Sequence, residues 1–125
     1  MIRDFFLVGI GSFAGGGLRF LVSRWMQSVA LLSLPVGTLA VNVAGCFLIG
    51  LLSALPFEGR VLSPQAKILL TTGFCGGFTT FSTFIYENHA LAREGHYLSL
   101  LLYVTVSLAL GFAALLAGNH LAKNW

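Results

Sequence analysis

Charge is what this sequence has least of. Seven Lys and Arg and four Asp and Glu amount to 9% of its 125 residues, where soluble domains carry about a quarter. So few charges cannot solvate a globular surface. With 57% hydrophobic residues and a mean hydropathy of +0.89, the chain reads as an all-α membrane protein. Cysteine is nearly absent as well: Cys46 and Cys75 form no C-x-x-C motif, so a metal or redox centre has little support and both read as small buried hydrophobes. His89, His96 and His120 fall near helix ends without ligand-pair spacing. The seven basic residues form no patch, which argues against nucleic acid despite the net charge of +3. Length excludes more. Four helices of about 20 residues need about 80, and the remainder of the 125 residues suffices only for termini and loops. A multidomain enzyme and most nucleotide-driven pumps are thereby ruled out, leaving a single four-helix transmembrane domain over residues 1–125.

What is present is a set of long uncharged runs, over residues 5–18, 25–57, 68–86 and 95–122. Each holds one span, the first by running through Arg19 to about Val22 or Ser23. The second has a surplus at residues 27–34, a loop ahead of Pro35, which suits the first turn of a helix. Helices are therefore expected near residues 4–23, 35–55, 65–92 and 97–121. Arg3 ahead of an apolar stretch is also how a secretory signal begins, but Asp4, the glycine run before Arg19 and the lack of an A-x-A-like site speak against cleavage.

Positive charge sets orientation in a membrane, and here it gives a weak instruction. Both termini and the loop between the second and third helices carry Arg3, Arg60, Lys67 and Lys123. The other side carries Arg24 and Arg93, and Arg19 if it reaches the interface. This split is compatible with a single orientation, and equally with a chain that inserts both ways and pairs antiparallel with itself.

Polar groups inside spans are costly and so draw attention. Thr38 and Asn42 lie one turn apart on the second helix; the Asn42 amide can donate two hydrogen bonds, to a neighbouring helix or to a dehydrated anion. In the third span, Gly73-Phe74-Cys75-Gly76-Gly77-Phe78-Thr79-Thr80-Phe81-Ser82-Thr83-Phe84 mixes glycine with β-branched residues, a poor recipe for continuous helix. A break is expected near residues 76–80, tolerable at that depth only where protein buries it or it lines a cavity. Phe81 and Phe84 share a face, with Ser82 and Thr83 pointing elsewhere. Phenyl rings have positive edges, so the pair serves either as core packing or as a wall that stabilises a small anion. Tyr103, Ser107 and Gly111 form a narrow polar stripe on the fourth helix. Arg19 and Glu87 are the charges nearest the spans; they can pair, snorkel outward or line a vestibule. The dinucleotide-like Gly9-Ile10-Gly11-Ser12-Phe13-Ala14 lacks the βαβ unit that motif needs. Gly11 with Gly15, and Gly73 with Gly77, have the four-residue spacing of close helix packing.

Three stretches carry a resemblance: Gly15-Gly16-Gly17-Leu18-Arg19-Phe20, Gly37-Thr38-Leu39-Ala40-Val41-Asn42-Val43-Ala44-Gly45, and most specifically the glycine and phenylalanine motif from Gly73 through Glu87. In order and length the chain resembles the Fluc (CrcB) family of fluoride channels. The resemblance implies a dual-topology, antiparallel homodimer with two fluoride pathways in the bacterial cytoplasmic (inner) membrane. It implies a structural Na+ ion at the dimer centre, on backbone carbonyls of Gly76 and Thr79 from both subunits. Phe81 and Phe84 fall on the family's fluoride-facing phenylalanines, Asn42 on its pore asparagine, and Tyr103 and Ser107 on polar positions of the fourth helix. Thr38, Ser82 and Thr83 join them as candidate pathway residues, and Arg19 would lie at a vestibule. Gly17 and Phe20 stand where Ala and Tyr are common in the family, which puts a hydroxyl contact beside Arg19 in doubt. Passive export is the implied activity. The competing reading, a small dual-topology multidrug or cation transporter, needs a membrane-embedded acid, and the first helix has none at its centre. A third is an assembly subunit whose glycine faces only pack.

Overall fold

The computed structural model describes residues 1–26, 34–55 and 63–123; Arg60 and nearly all of the expected 27–34 loop lie outside them. Four helical spans are long and apolar enough to cross a membrane. The first is α1 (Ile2–Trp25) and the second α2 (Val36–Ala54). The third, Pro64–Arg93, consists of two helices: α3 covers residues 64–78 and α4 is Ser82–Arg93. The fourth is α5 (Tyr97–Lys123). The 19 residues of α2 are about 28 Å long, close to the thickness of the hydrocarbon core.

Local chemistry explains how the third span begins and why it breaks. Ser63 caps α3 by accepting a hydrogen bond from the Ala66 N–H, and Pro64 occupies the first turn, where its missing donor costs nothing. From Leu69 to Cys75 the helix widens into a π turn, which the sequence pattern does not announce. Thr71 and Thr79 each donate their hydroxyl to the carbonyl four residues back, at 2.6 Å and 2.9 Å, a bond that bends helices. The break falls at residues 79–81, later than the expected 76–80. Gly76 and Gly77 stay helical; the chain turns extended at Thr79, with ψ 161°. Glycine therefore is not what breaks this helix. The interruption is made by threonines whose backbone and hydroxyl groups find other partners.

The glycines act instead as contact surfaces. A Cβ on Gly11 or Gly15 would run into the α3 backbone at Leu69, Gly73, Phe74 and Phe78, while Gly73 and Gly77 meet α1 at Leu7, Val8 and Ser12. The paired four-residue spacings thus hold α1 against α3, as small residues do in bilayers. On the other side, Gly50 lies on Leu115 and Gly118 on Phe47 and Leu51, fastening α2 to α5. Few large apolar side chains are buried: Val41, Phe78, Leu91 and Tyr103 are, while Phe5, Phe13, Phe20, Phe112 and Leu116 lie exposed. That inversion suits lipid rather than water as the outer solvent.

Replacing Gly15 by leucine would drive a side chain into backbone that has no flexible end to move. Overpacking of this kind costs about 1–3 kcal/mol or more. Gly15→Leu is expected to lower the thermal unfolding midpoint in detergent by several degrees and to reduce the folded yield, measured by size-exclusion chromatography. An unchanged midpoint would remove the α1–α3 contact from the forces that hold the fold.

Candidate functional site

Unwinding residues 79–81 frees backbone groups inside the span, and Asn42 of α2 takes up two of them. Its Oδ1 accepts the Thr80 N–H at 2.8 Å and its Nδ2 donates to the Thr80 carbonyl at 3.1 Å. The side-chain amide thus stands in for a peptide neighbour. The Thr80 hydroxyl then accepts the Thr83 N–H at 3.3 Å and lies 3.2 Å from the Thr83 hydroxyl, capping the first turn of α4. Gly45, one turn beyond Val41, has no room for a Cβ beside Thr79, so α2 sits close enough for Asn42 to reach.

A cavity of about 560 Å³ lies along this junction, lined by Asn42, Cys46, Cys75, Gly76, Thr79, Phe81, Phe84 and Ser107 among others. Phe81 and Phe84 stand 6.2 Å apart between ring centres with planes tilted by 36°. Phe84 also packs on Tyr103 at 5.0 Å. The Ser107 Oγ is buried and has no hydrogen-bond partner among the described residues, and Asn42 keeps one amide hydrogen after serving Thr80. Both are free to donate into the cavity. One side of it is open: Phe81 is 75% exposed, and a Cβ on Gly76 would meet nothing within 4 Å.

A second polar node lies on the inner face of α4. Glu87 accepts the Tyr103 hydroxyl at 2.9 Å on Oε1 and the Thr38 hydroxyl at 2.8 Å on Oε2. Tyr103 is fully buried and Thr38 nearly so. One carboxylate therefore gathers α2, α4 and α5. Arg19 is not its partner: the Arg19 Nε donates to the Gly77 carbonyl at 3.1 Å, setting positive charge at the C-terminal end of α3, where the helix dipole favours it.

The comparisons with known proteins agree in extent. The family described as "CrcB-like protein, Camphor Resistance (CrcB)" matches residues 6–119. This chain belongs to the CrcB family. A relative from Chlorobaculum tepidum named "Fluoride-specific ion channel FluC" is 49% identical over 125 residues, covering 100% of this chain and 98% of the relative. Relatives of the same name are 45% identical in Chlorobium phaeobacteroides, over 99% of this chain and 95% of the relative, and 41% identical in Leptospira interrogans, over 98% and 97%.

In this CrcB-family chain the candidates taken from the sequence divide into three groups. Asn42, Phe81, Phe84 and Ser107 line the cavity, together with Gly76 and Thr79. Thr38 and Tyr103 meet at Glu87 instead. Ser82 is exposed on α4, Thr83 is engaged with Thr80, and Arg19 holds Gly77; none of the three is among the cavity-lining residues. Among the described residues no cluster of three or more His, Cys, Asp or Glu could hold a metal. Sequence reasoning passed over Thr80, and took Glu87 only as a charge near the end of its span. For Glu87 a signal existed, since it is an acid about 9 Å inside the end of its span and intramembrane acids are functional by default. For Thr80 there was none, because its role is played by its backbone.

Asn42→Ala would strip both partners from the Thr80 peptide, at about 1–3 kcal/mol for each unsatisfied group. We expect a lower unfolding midpoint and faster amide exchange at residues 79–83 than in the native chain, read by hydrogen–deuterium exchange mass spectrometry. Unaltered exchange there would mean that the clamp does not hold the break.

Proposed function

We propose that this chain is a fluoride-selective channel through which the anion leaves the cytoplasm passively. The observation that carries the reading is whole-chain similarity to proteins named fluoride-specific channels, joined to a cavity whose wall is two phenylalanines and few free donors. Fluoride is small and strongly hydrated, so a path that strips its water has to replace it. The free Asn42 N–H and the Ser107 hydroxyl can donate to it, and the positive edges of Phe81 and Phe84 attract it without the grip of a full charge. Weak multi-site attraction is what conduction requires. Chloride is larger and gains less from so tight a lining. Neutral hydrogen fluoride enters and dissociates in a more alkaline cytoplasm, and the inside-negative potential, about 2.3 kcal/mol per charge per 100 mV, drives the anion out without ATP. A multidrug or cation transporter is not favoured, since the relatives named for fluoride match along the full chain.

The working unit in this reading is an antiparallel pair of chains in the bacterial inner membrane. Its support is the open side of the cavity: Phe81 is a large aromatic left uncovered beside Gly76, as a surface awaiting a second wall would be. The weak charge bias lets both orientations insert. Carbonyls of Gly76 and Thr79 from two inverted copies would meet there, and Na+ is the cation such hard oxygen donors suit.

Purified protein in liposomes is expected to release fluoride, read by a fluoride electrode, while chloride stays inside. Phe81→Ile should cut the flux at least about tenfold, as loss of about 1.4 kcal/mol of ion stabilisation would. Chloride release, or no fluoride release, sinks the channel. For topology, a single cysteine introduced as Glu94→Cys in a Cys46→Ala, Cys75→Ala background should react with impermeant thiol reagent from both faces of the cell membrane; labelling from one face alone would exclude dual insertion.

A further inference from the structure

The outer face of α1 carries a second concavity, a slot of about 300 Å³ lined by Phe5, Phe6, Gly9, Ile10 and Phe13. Its floor is Gly9, and a Cβ there would meet nothing within 4 Å. Glycine in a helix costs about 1 kcal/mol against alanine. At Gly11 and Gly15 a neighbouring helix accounts for it; at Gly9 nothing among the described residues does. The walls are aromatic, with Phe5 and Phe6 packed edge to face at 5.3 Å. Both rings and Phe13 are exposed, at 70%, 60% and 87%.

The slot has a direction and a charged end. Residues 5 to 13 span about 12 Å of helix axis, close to the depth of one leaflet of a hydrocarbon core about 30 Å thick. Arg3 precedes Ile10 by seven residues and so lies within about 20° of it around the helix, at the end nearest the membrane surface. It is exposed. Asp4 falls about 180° from Phe13, on the side turned to the protein, and does not neutralise the slot's mouth.

We propose that this slot is a binding site for an anionic phospholipid, with one acyl chain lying over Gly9 between the phenyl rings and the headgroup phosphate against the Arg3 guanidinium. Depth, apolar walls and a cationic end at the headgroup level select that occupant. The assignment needs the chain to be in a membrane and does not depend on which ion it carries.

Native mass spectrometry of the detergent-purified protein, titrated with phosphatidylglycerol and with phosphatidylcholine, tests it. The anionic lipid should be retained about fivefold better, the worth of one arginine near a charged headgroup, and Arg3→Gln should abolish that preference. Gly9→Leu, which fills the slot without touching the protein interior, should lower lipid occupancy at least about threefold, as loss of even one buried methylene would, with fluoride flux and helical circular dichroism intact. Equal retention of the two lipids, or undiminished adducts in Gly9→Leu, would overturn the site. A change of oligomeric mass in Gly9→Leu would also overturn it, by assigning the face to a second copy of the chain. Arg3→Gln leaves all packing in place and keeps the test valid if Gly9→Leu folds poorly.

Discussion

A peptide group at bilayer depth has no water to turn to, and the pairing of Asn42 with Thr80 is how this chain meets that demand. An interrupted helix exposes donors and acceptors that each cost several kcal/mol if left unsatisfied in hydrocarbon. Asn42 returns one acceptor and one donor to the same residue, at 2.8 Å and 3.1 Å. A carboxamide offers both on adjacent atoms. With the peptide at 80 held, the Thr80 hydroxyl is left to start α4, and the two phenylalanines at 81 and 84 are presented to the cavity from a fixed turn. Remove the amide, and the Thr80 N–H and carbonyl lose the partners that hold them at the break.

The same demand explains α1. A π turn and a helix end both leave carbonyls less well served, and α1 brings Ser12 to the Gly73 carbonyl at 3.2 Å and Arg19 to the Gly77 carbonyl at 3.1 Å. Those contacts need the helix axes to come close, which is what Gly11, Gly15, Gly73 and Gly77 permit. Glycine and hydrogen bonding are therefore one device here: small residues bring the backbones together, and polar side chains between them satisfy what the irregular helix gives up. Arg19, half-buried, thereby brings positive charge to the carbonyl end of α3.

How much of this was legible in the sequence follows from the range of the forces involved. Spans are set by runs of apolar residues, a local property, and all four fall where the uncharged stretches placed them, within two residues at every end. The glycine contacts were legible because four-residue spacing is also local. The break was foreseen from composition but begins three residues later than expected, because Gly76 and Gly77 stay helical, Gly77 packed against Ser12 of α1. The Glu87 node joins residues 38, 87 and 103, three segments with no spacing rule between them. Thr80 was invisible because its main chain does the work, and a main chain has no residue type.

What the fold leaves unfinished argues for its surroundings. A soluble protein with Phe81 three-quarters exposed beside a helix break would be aggregation-prone, and in lipid an open polar junction at the same place is worse, because acyl chains cannot satisfy it. In the proposed antiparallel pair, a second chain would complete that cavity wall. The α1 face makes the opposite demand: its slot is apolar along its length and polar only at the rim, so a hydrocarbon tail satisfies it where a polar partner would not. Two open surfaces on one small chain thus select different neighbours by the same rule, that each buried group must meet its own kind. A second protein wall fits the α4 side and lipid fits the α1 side, which sets α1 at the periphery of any assembly built around the broken helix.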